Sequence, residues 1–250
     1  MGSGQLVVFL AGGAAVVAVA VYGWYRNQQR IEALAQFCLA KGWQFSARDD
    51  SLGFRWTGPP FDVGSDREAR DVVSGTVGAE GAAMRFLAFD YSYVTESSNG
   101  KGGRSRTTHR YAVCAVGLPT FLPSLQITPE TMLTRVGHAV GLEDIELESE
   151  GFNRRFWVSA SSAKFASDVL PPRTMELLLA RPPLHFRITG TDVLCWEEGT
   201  TNPTNLLART STLAGFVAGI PSFVWHDHGT EPPATPPVPP TAAPPGSVGP

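Results

Sequence analysis

Residues 6 to 25, from Leu6 to Tyr25, run without a charged side chain and without Asn, Gln or Ser. At 1.5 Å per residue, twenty helical residues reach about 30 Å, the thickness of a bilayer's hydrocarbon core. Charged side chains begin with Arg26, and Arg30 and Lys41 follow, so the positive-inside rule places everything after the stretch in the cytoplasm. Tyr22, Trp24 and Tyr25 gather at that end, where amphipathic rings favour the headgroup layer. Ala18-Val19-Ala20 has the small-x-small form of a signal-peptide cleavage site, and a cleaved leader with an exported domain is the rival reading. That rival lacks a basic n-region, so the expectation is a retained single-pass anchor in the plasma membrane, with the bilayer as partner through residues 6–25.

The rest of the chain divides by composition. A net charge of −3 and a pI near 6.0 leave no footprint for nucleic-acid binding. Residues 231–250 hold nine prolines, a single charge and no apolar side chain larger than valine, which is too little to offset the entropy of ordering. A disordered, polyproline-biased tail is expected there, and Pro236-Pro237-Val238-Pro239-Pro240 carries PxxP spacing that an aromatic groove on a protein partner could dock. Cys38, Cys114 and Cys195 stand about eighty residues apart with no CxxC spacing. They read as free core thiols rather than as a zinc ribbon or a disulfide framework.

Between anchor and tail the patterning predicts an α+β domain of antiparallel strands and packed helices. Ile31, Leu34, Ala35, Cys38 and Leu39 form a helical stripe that ends at Gly42. Val72–Val77 and Met84–Val94 read as a hairpin about Gly78–Gly81, and a third strand covers Thr107–Leu118 after a glycine-rich loop from Thr95 to Ser105. Thr128-Pro129-Glu130 reads as a helix start, with Met132, Leu133, Val136 and Val140 on one face. Glu143 to Glu150 alternates acids with Ile145 and Leu147 as a half-exposed strand would. A strand at Phe156–Ala160 follows, then helices carrying Phe165, Ala166, Val169 and Leu170, and Met175, Leu178 and Leu179. Leu184–Ile188 and Asp192–Trp196 form a second expected hairpin through Gly190, and Asn202-Pro203 opens a helix with Leu206, Leu213, Val217 and Ile220 aligned. The implied organisation is an anchor at 1–25, a juxtamembrane helix and β-rich half at 26–118, an α+β half at 119–230 meeting it near 119–128, and the tail.

No Gly-x-Ser-x-Gly elbow, HExxH helix, kinase-like motif or GxGxxG after a strand occurs, so no catalytic residue and no cofactor is assigned. Lys101, Arg104, Arg106 and Arg110 put four positive charges near one hairpin tip. Gly100-Lys101-Gly102 leads into a strand rather than a helix, so this is not a P-loop. A solvated loop is the plain reading, and contact with an anionic membrane or a partner is the functional one. His226-Asp227-His228 offers two imidazoles on one side of an extended segment, but no third ligand can be named, and no metal is assigned. Glu148-Ser149-Glu150 followed by Arg154-Arg155 reads as a capped strand edge rather than an active centre.

The N-terminal span is followed by Arg55-Trp56, Gly58-Pro59-Pro60-Phe61, Val72-Val73-Ser74-Gly75 and Phe89-Asp90-Tyr91. Together with the segment from Glu148-Ser149 to Phe156, and with Phe165-Ala166 through Met175-Glu176, this order resembles uncharacterised single-span membrane proteins of actinobacteria over residues 5–225. The resemblance implies architecture and location only. The expected function is a membrane-tethered, non-catalytic interaction or scaffolding module. The alternative is a membrane-anchored enzyme, such as a hydrolase, whose site is assembled from residues distant in sequence.

Overall fold

A computed structural model describes residues 3–78, 83–98, 103–130 and 142–233, with side chains in the first helix from Ala15 onward. Helix α1 runs unbroken from Ser3 to Lys41, so the apolar stretch and the juxtamembrane stripe are one rod. Gly42, at φ 67°, ends it, and Trp43 N–H returns to the Cys38 carbonyl at 2.8 Å. Leu34 and Cys38 are fully buried, while Leu39 is 82% exposed because only one side of the rod meets the sheet. Among the described residues no helix is long and apolar enough to cross a membrane. The side chains of residues 6–14, nearly half of the expected span, lie outside those described.

The domain is α+β, and its described residues form a sheet of seven antiparallel strands. β1 (Gln44–Arg48), β2 (Ser65–Val77) and β3 (Met84–Ser98) lie side by side, and β3 pairs with β4 (Arg104–Pro129). The last part of β4 pairs with β6 (Phe156–Ala160), which carries short β5 (Glu143–Ile145) on its outer edge. β7 (His185–Glu198) follows the other edge of β4 from Tyr111 to Ile127. The helices are α2 (Glu150–Asn153), α3 (Ala163–Val169), α4 (Pro172–Leu179), α5 (Pro203–Gly219) and α6 (Ser222–Asp227).

Alternation along the strands sorts side chains into two cores. Phe86, Ala88, Cys114, Val116, Phe186 and Ile188 meet α1, α5 and the smaller helices. Phe89, Tyr91, Val113, Leu194 and Trp196 face the other way and are covered by the segment 49–64, which inserts Leu52, Trp56 and Phe61. Tyr91 donates its hydroxyl to the Phe61 carbonyl at 2.8 Å, and Trp56 stacks on Phe89.

Several expectations change at β4 and its neighbours. The hairpin expected through Gly190 is one bent strand: Gly190 takes φ 63°, and the register against β4 shifts between Gly117, Leu122 and Leu125. The bulges turn the ribbon without reversing it. The junction expected near 119–128 lies inside β4. Thr128 and Pro129 do not start a helix but end β4, opposite Trp157 and Phe156, while residues 131–141 with their expected face lie outside the described residues. The acidic strand from Glu143 shrinks to β5, because Asn153 binds both the N–H and the carbonyl of Leu147, and Ser149 caps α2. The loop expected at 95–105 is shorter, with β3 reaching Ser98 opposite Arg104. Residues 234–250, most of the expected tail, lie outside the described residues.

The bend returns His185 and Arg187 to Trp196: the imidazole stacks on the indole at 5.1 Å, and the guanidinium lies 4.9 Å from its ring centroid. Arg187 is buried and donates to the carbonyls of Thr57 and Pro59 at 2.9 and 2.6 Å and to Gln126 Oε1 at 3.2 Å. It fastens segment 49–64 to the sheet. Arg187→Met leaves these acceptors unpaired and is expected to lower stability by about 3 kcal/mol, read from the urea midpoint.

Candidate functional site

A cleft of ≈ 970 Å³ opens where α1 leaves the domain, between Asn27 and Gln28 on one side and β2, β3 and β4 on the other. Its charged lining is six arginines, 30, 48, 67, 70, 106 and 110, and four carboxylates, Asp66, Glu68, Asp71 and Asp90.

At its base Arg30 of α1 binds the sheet. Arg30 Nη2 donates to Asp71 Oδ2 at 2.5 Å, and Nη1 lies 3.1 Å from Asp90 Oδ2 and donates to the Thr201 carbonyl at 2.5 Å. Asn27, one turn earlier, accepts from Arg30 Nε and Nη2 at 3.2 and 3.0 Å and holds the guanidinium in plane. Asp90 Oδ1 accepts the Thr201 N–H at 2.7 Å. Asp71 occupies φ 51°, between the register positions Arg70↔Asp90 and Val73↔Ala88, where a bulge swings its carboxylate toward the helix. Burial pushes Asp90 up to about 6, against the hydrogen bonds from Thr201 and the charge of Arg30 that pull it down.

The other arginines are largely engaged. Arg48 pairs with Asp50, and Arg106 with Asp66. Arg70 Nε is 2.8 Å from Glu68, which holds that carboxyl below its usual range. Arg67 donates to the Asp62 carbonyl at 2.8 Å and covers the Phe54 ring. The cleft therefore offers a surface of alternating donors and acceptors whose internal pairs are already formed.

Of the basic group singled out from sequence, Arg110 lies on a strand as expected, Arg104 and Arg106 lie on the same strand β4 because it begins at Arg104, all three spaced on one face of it, and Lys101 lies outside the described residues. His226 and His228 do not share one side, since α6 and its cap replace the extended segment. His226 meets Glu231 at 3.2 Å, and His228 packs edge-on against Phe165. Among the described residues no three metal-binding side chains cluster. Glu148 and Glu150 are exposed, and Arg155 donates to the carbonyls of Leu179 and Arg181. Thr95 Oγ1 and His109 Nε2 sit 2.9 Å apart, a cross-strand contact with the imidazole stacked on Tyr93.

Three charged joints escaped the sequence reading: the half-buried Arg30 with its two aspartates, and the buried Arg187 and Arg209. Arg209, on α5, is 2% exposed and lies 2.9 Å from Glu197. Its charge opposes the burial that drives Cys114 up to about 12, and Cys114 stands directly across from Cys195. Two of them interrupt an apolar face, and that was the readable signal: Asp90 follows Phe86 and Ala88 by twos, and Arg209 follows Leu206 by three, whereas Arg187 alternates with Phe186 and Ile188 on the opposite face.

No protein-family model and no curated protein matches this chain. The fold itself has a solved counterpart: the crystal structure of the mycobacterial trehalose monomycolate transport factor A, TtfA, superposes with a TM-score of 0.56 at 11% identity. The match covers 76% of this chain and 96% of that one. At that identity the likeness establishes a shared fold.

A raised carboxyl pKa means that the folded state holds a proton the unfolded chain has released. Between about pH 4 and 6 Asp90 therefore favours the fold at the acid end and loses that contribution as pH rises through 6. His185, lowered to about 4 by burial and Arg187, acts oppositely, its contribution being lost as pH falls toward 4. Denaturation midpoints across this window are expected to show Asp90→Asn steepening the acid-side loss and His185→Phe flattening it.

Proposed function

We propose that the chain is a membrane-tethered, non-catalytic interaction module, anchored through residues 6–25 with its domain at the cytoplasmic face of the plasma membrane. One observation carries the tether. From Val16 to Tyr25, valines and aromatic residues are 54–72% exposed on every side of α1: Val16, Val17, Val19, Val21, Tyr22, Trp24 and Tyr25. A helix apolar all round is stable only inside a large core or a bilayer, and this half of the rod packs on no core of its own. The adjoining residues 6–14 extend the same uncharged composition, and Arg26, Arg30 and Lys41 on the domain side support cytoplasmic orientation.

The non-catalytic reading follows from what the cleft carboxylates do. Asp71 and Asp90 hold α1 through Arg30, and the exposed acids pair with neighbouring arginines. The fold counterpart is named a trehalose monomycolate transport factor, which supports work on or beside membrane lipid rather than hydrolysis of a soluble substrate. Membership among uncharacterised actinobacterial single-span proteins belongs to the same proposal, with the Pro-rich segment as a second contact for a protein partner.

Replacing Val17 and Val19 together with lysine places two charges in the middle of the span, at about 3 kcal/mol each for insertion. The expected outcome is release of the full chain into the carbonate-soluble fraction of cells, with the domain folded. Retention of the double variant with the membrane pellet would refute the span.

A further inference from the structure

Beyond Val94 and Thr108, β3 and β4 leave the sheet together. β2 begins opposite Val94 at Ser65, and β7 ends opposite Tyr111 at Glu198, so from Thr95 to Ser98 and from Arg104 to Thr107 the two strands pair only with each other. This two-stranded arm reaches about 13 Å past the third strand. Arg104 to Thr108 are all exposed, and the arm's sequence, Thr-Glu-Ser-Ser and Arg-Ser-Arg-Thr, gives it no apolar face. A ribbon of this kind is marginal in water on its own.

Two contacts fix its direction. The Trp43 ring, folded back beside Phe37 near the end of α1, packs on Phe86 at 4.6 Å, while Arg30 meets Asp90. Moving toward the N-terminus of α1 is therefore moving forward along β3, so the arm and the exposed apolar half of α1 leave the domain the same way. The cross-strand register fixes its face. Ala112 lies opposite Asp90, Arg110 opposite Ser92, Arg106 opposite Glu96 and Arg104 opposite Ser98, so all three arginines stand on the side of the sheet where α1 lies. Against them this face sets Glu96, together with Asp66, which pairs with Arg106, and α1 adds Arg26 where it leaves the domain.

We infer that the β3–β4 arm, through Arg104 and Arg106 with Arg110 at its base, binds the anionic phospholipid headgroups of the bilayer that α1 enters. The inference rests on the tether proposed above. An excess of arginine on an arm without apolar surface selects phosphate-bearing headgroups over an apolar groove on a protein. Helix and arm together then hold the domain at a set angle to the bilayer, with the cleft between them facing the lipid surface.

The test uses the full chain carrying Ser98→Cys, labelled with a fluorophore while the buried native thiols stay unreactive, in vesicles containing a headgroup spin-labelled lipid. Phosphatidylcholine vesicles are compared with vesicles in which phosphatidylglycerol is admixed. The expected result is quenching that rises with phosphatidylglycerol, weakens severalfold in Arg104→Gln/Arg106→Gln/Arg110→Gln, and is screened by high salt. Arg104→Glu alone serves as a milder check, and tryptophan emission reports that either variant is folded. Equal quenching in both vesicle types, or a phosphatidylglycerol effect that survives the triple substitution, overturns the arm contact while the chain still floats with the vesicles. A chain that fails to float with vesicles of either kind overturns the tether itself, and the arm contact falls with it.

Discussion

The clamp between Arg30 and the Asp71–Asp90–Thr201 group is the interaction on which the rest of the molecule turns. Two carboxylates share one guanidinium, so the pair carries a residual negative charge in a half-enclosed place, and burial pushes Asp90 toward neutrality in response. Breaking such a group by removing the cation leaves two poorly solvated acids, a loss of several kcal/mol, which is why the helix is held in one register. Leu34 and Cys38 supply the apolar attraction one and two turns further on, but apolar contacts alone tolerate sliding and rotation. The directional bonds of Arg30 do not. They fix both the rotation of α1 and the depth at which it meets the sheet, and therefore the line along which its exposed apolar half departs.

What the sequence disclosed follows the reach of its signals. Patterns contained within one element were legible: the rod ended by Gly42, the strands of the first hairpin, the helix opened by the Asn202 capping box, and the buried stripes of α3 and α4. Strand length was not legible, because nothing local tells a strand to continue past prolines. Pro119, Pro123 and Pro129 all sit within β4, tolerated because its register shifts and its partners change along its length. Gly190 misled for a related reason. A glycine at positive φ serves a reversal and a bulge equally well, and only pairing with β4 on both sides decides between them.

The candidate site was less legible than the fold. Its parts come from α1, β2, β3 and the turn after β7, and no spacing joins Arg30 to Asp71, Asp90 and Thr201. The sequence did point to the arginines of the hairpin, yet placed Arg104 in a loop and began the strand only at Thr107, so it gave the group no common face. Set on a strand they acquire one, and the face happens to be that of the helix. Arg187 and Arg209 show the complementary lesson. Each is a buried cation, and each turns out to hold two layers together, one tying segment 49–64 to the sheet and the other joining α5 to Glu197.

These buried charges bear on function through what they leave unoccupied. A general acid or base needs a lone pair or proton directed at substrate and a partner that tunes it. Here the perturbed acid, Asp90, directs one oxygen at a backbone N–H and the other at Arg30, and the perturbed imidazole, His185, lies flat on Trp196 beneath the bend. Both shifts arise from burial in structural joints rather than from an open, reactive pocket. The polar surface left to outside partners is the cleft rim and the arm, where arginines and acids alternate on paired strands. Such a surface recognises charge and shape. The helix clamped beside it through Arg30 fixes the direction in which that surface faces.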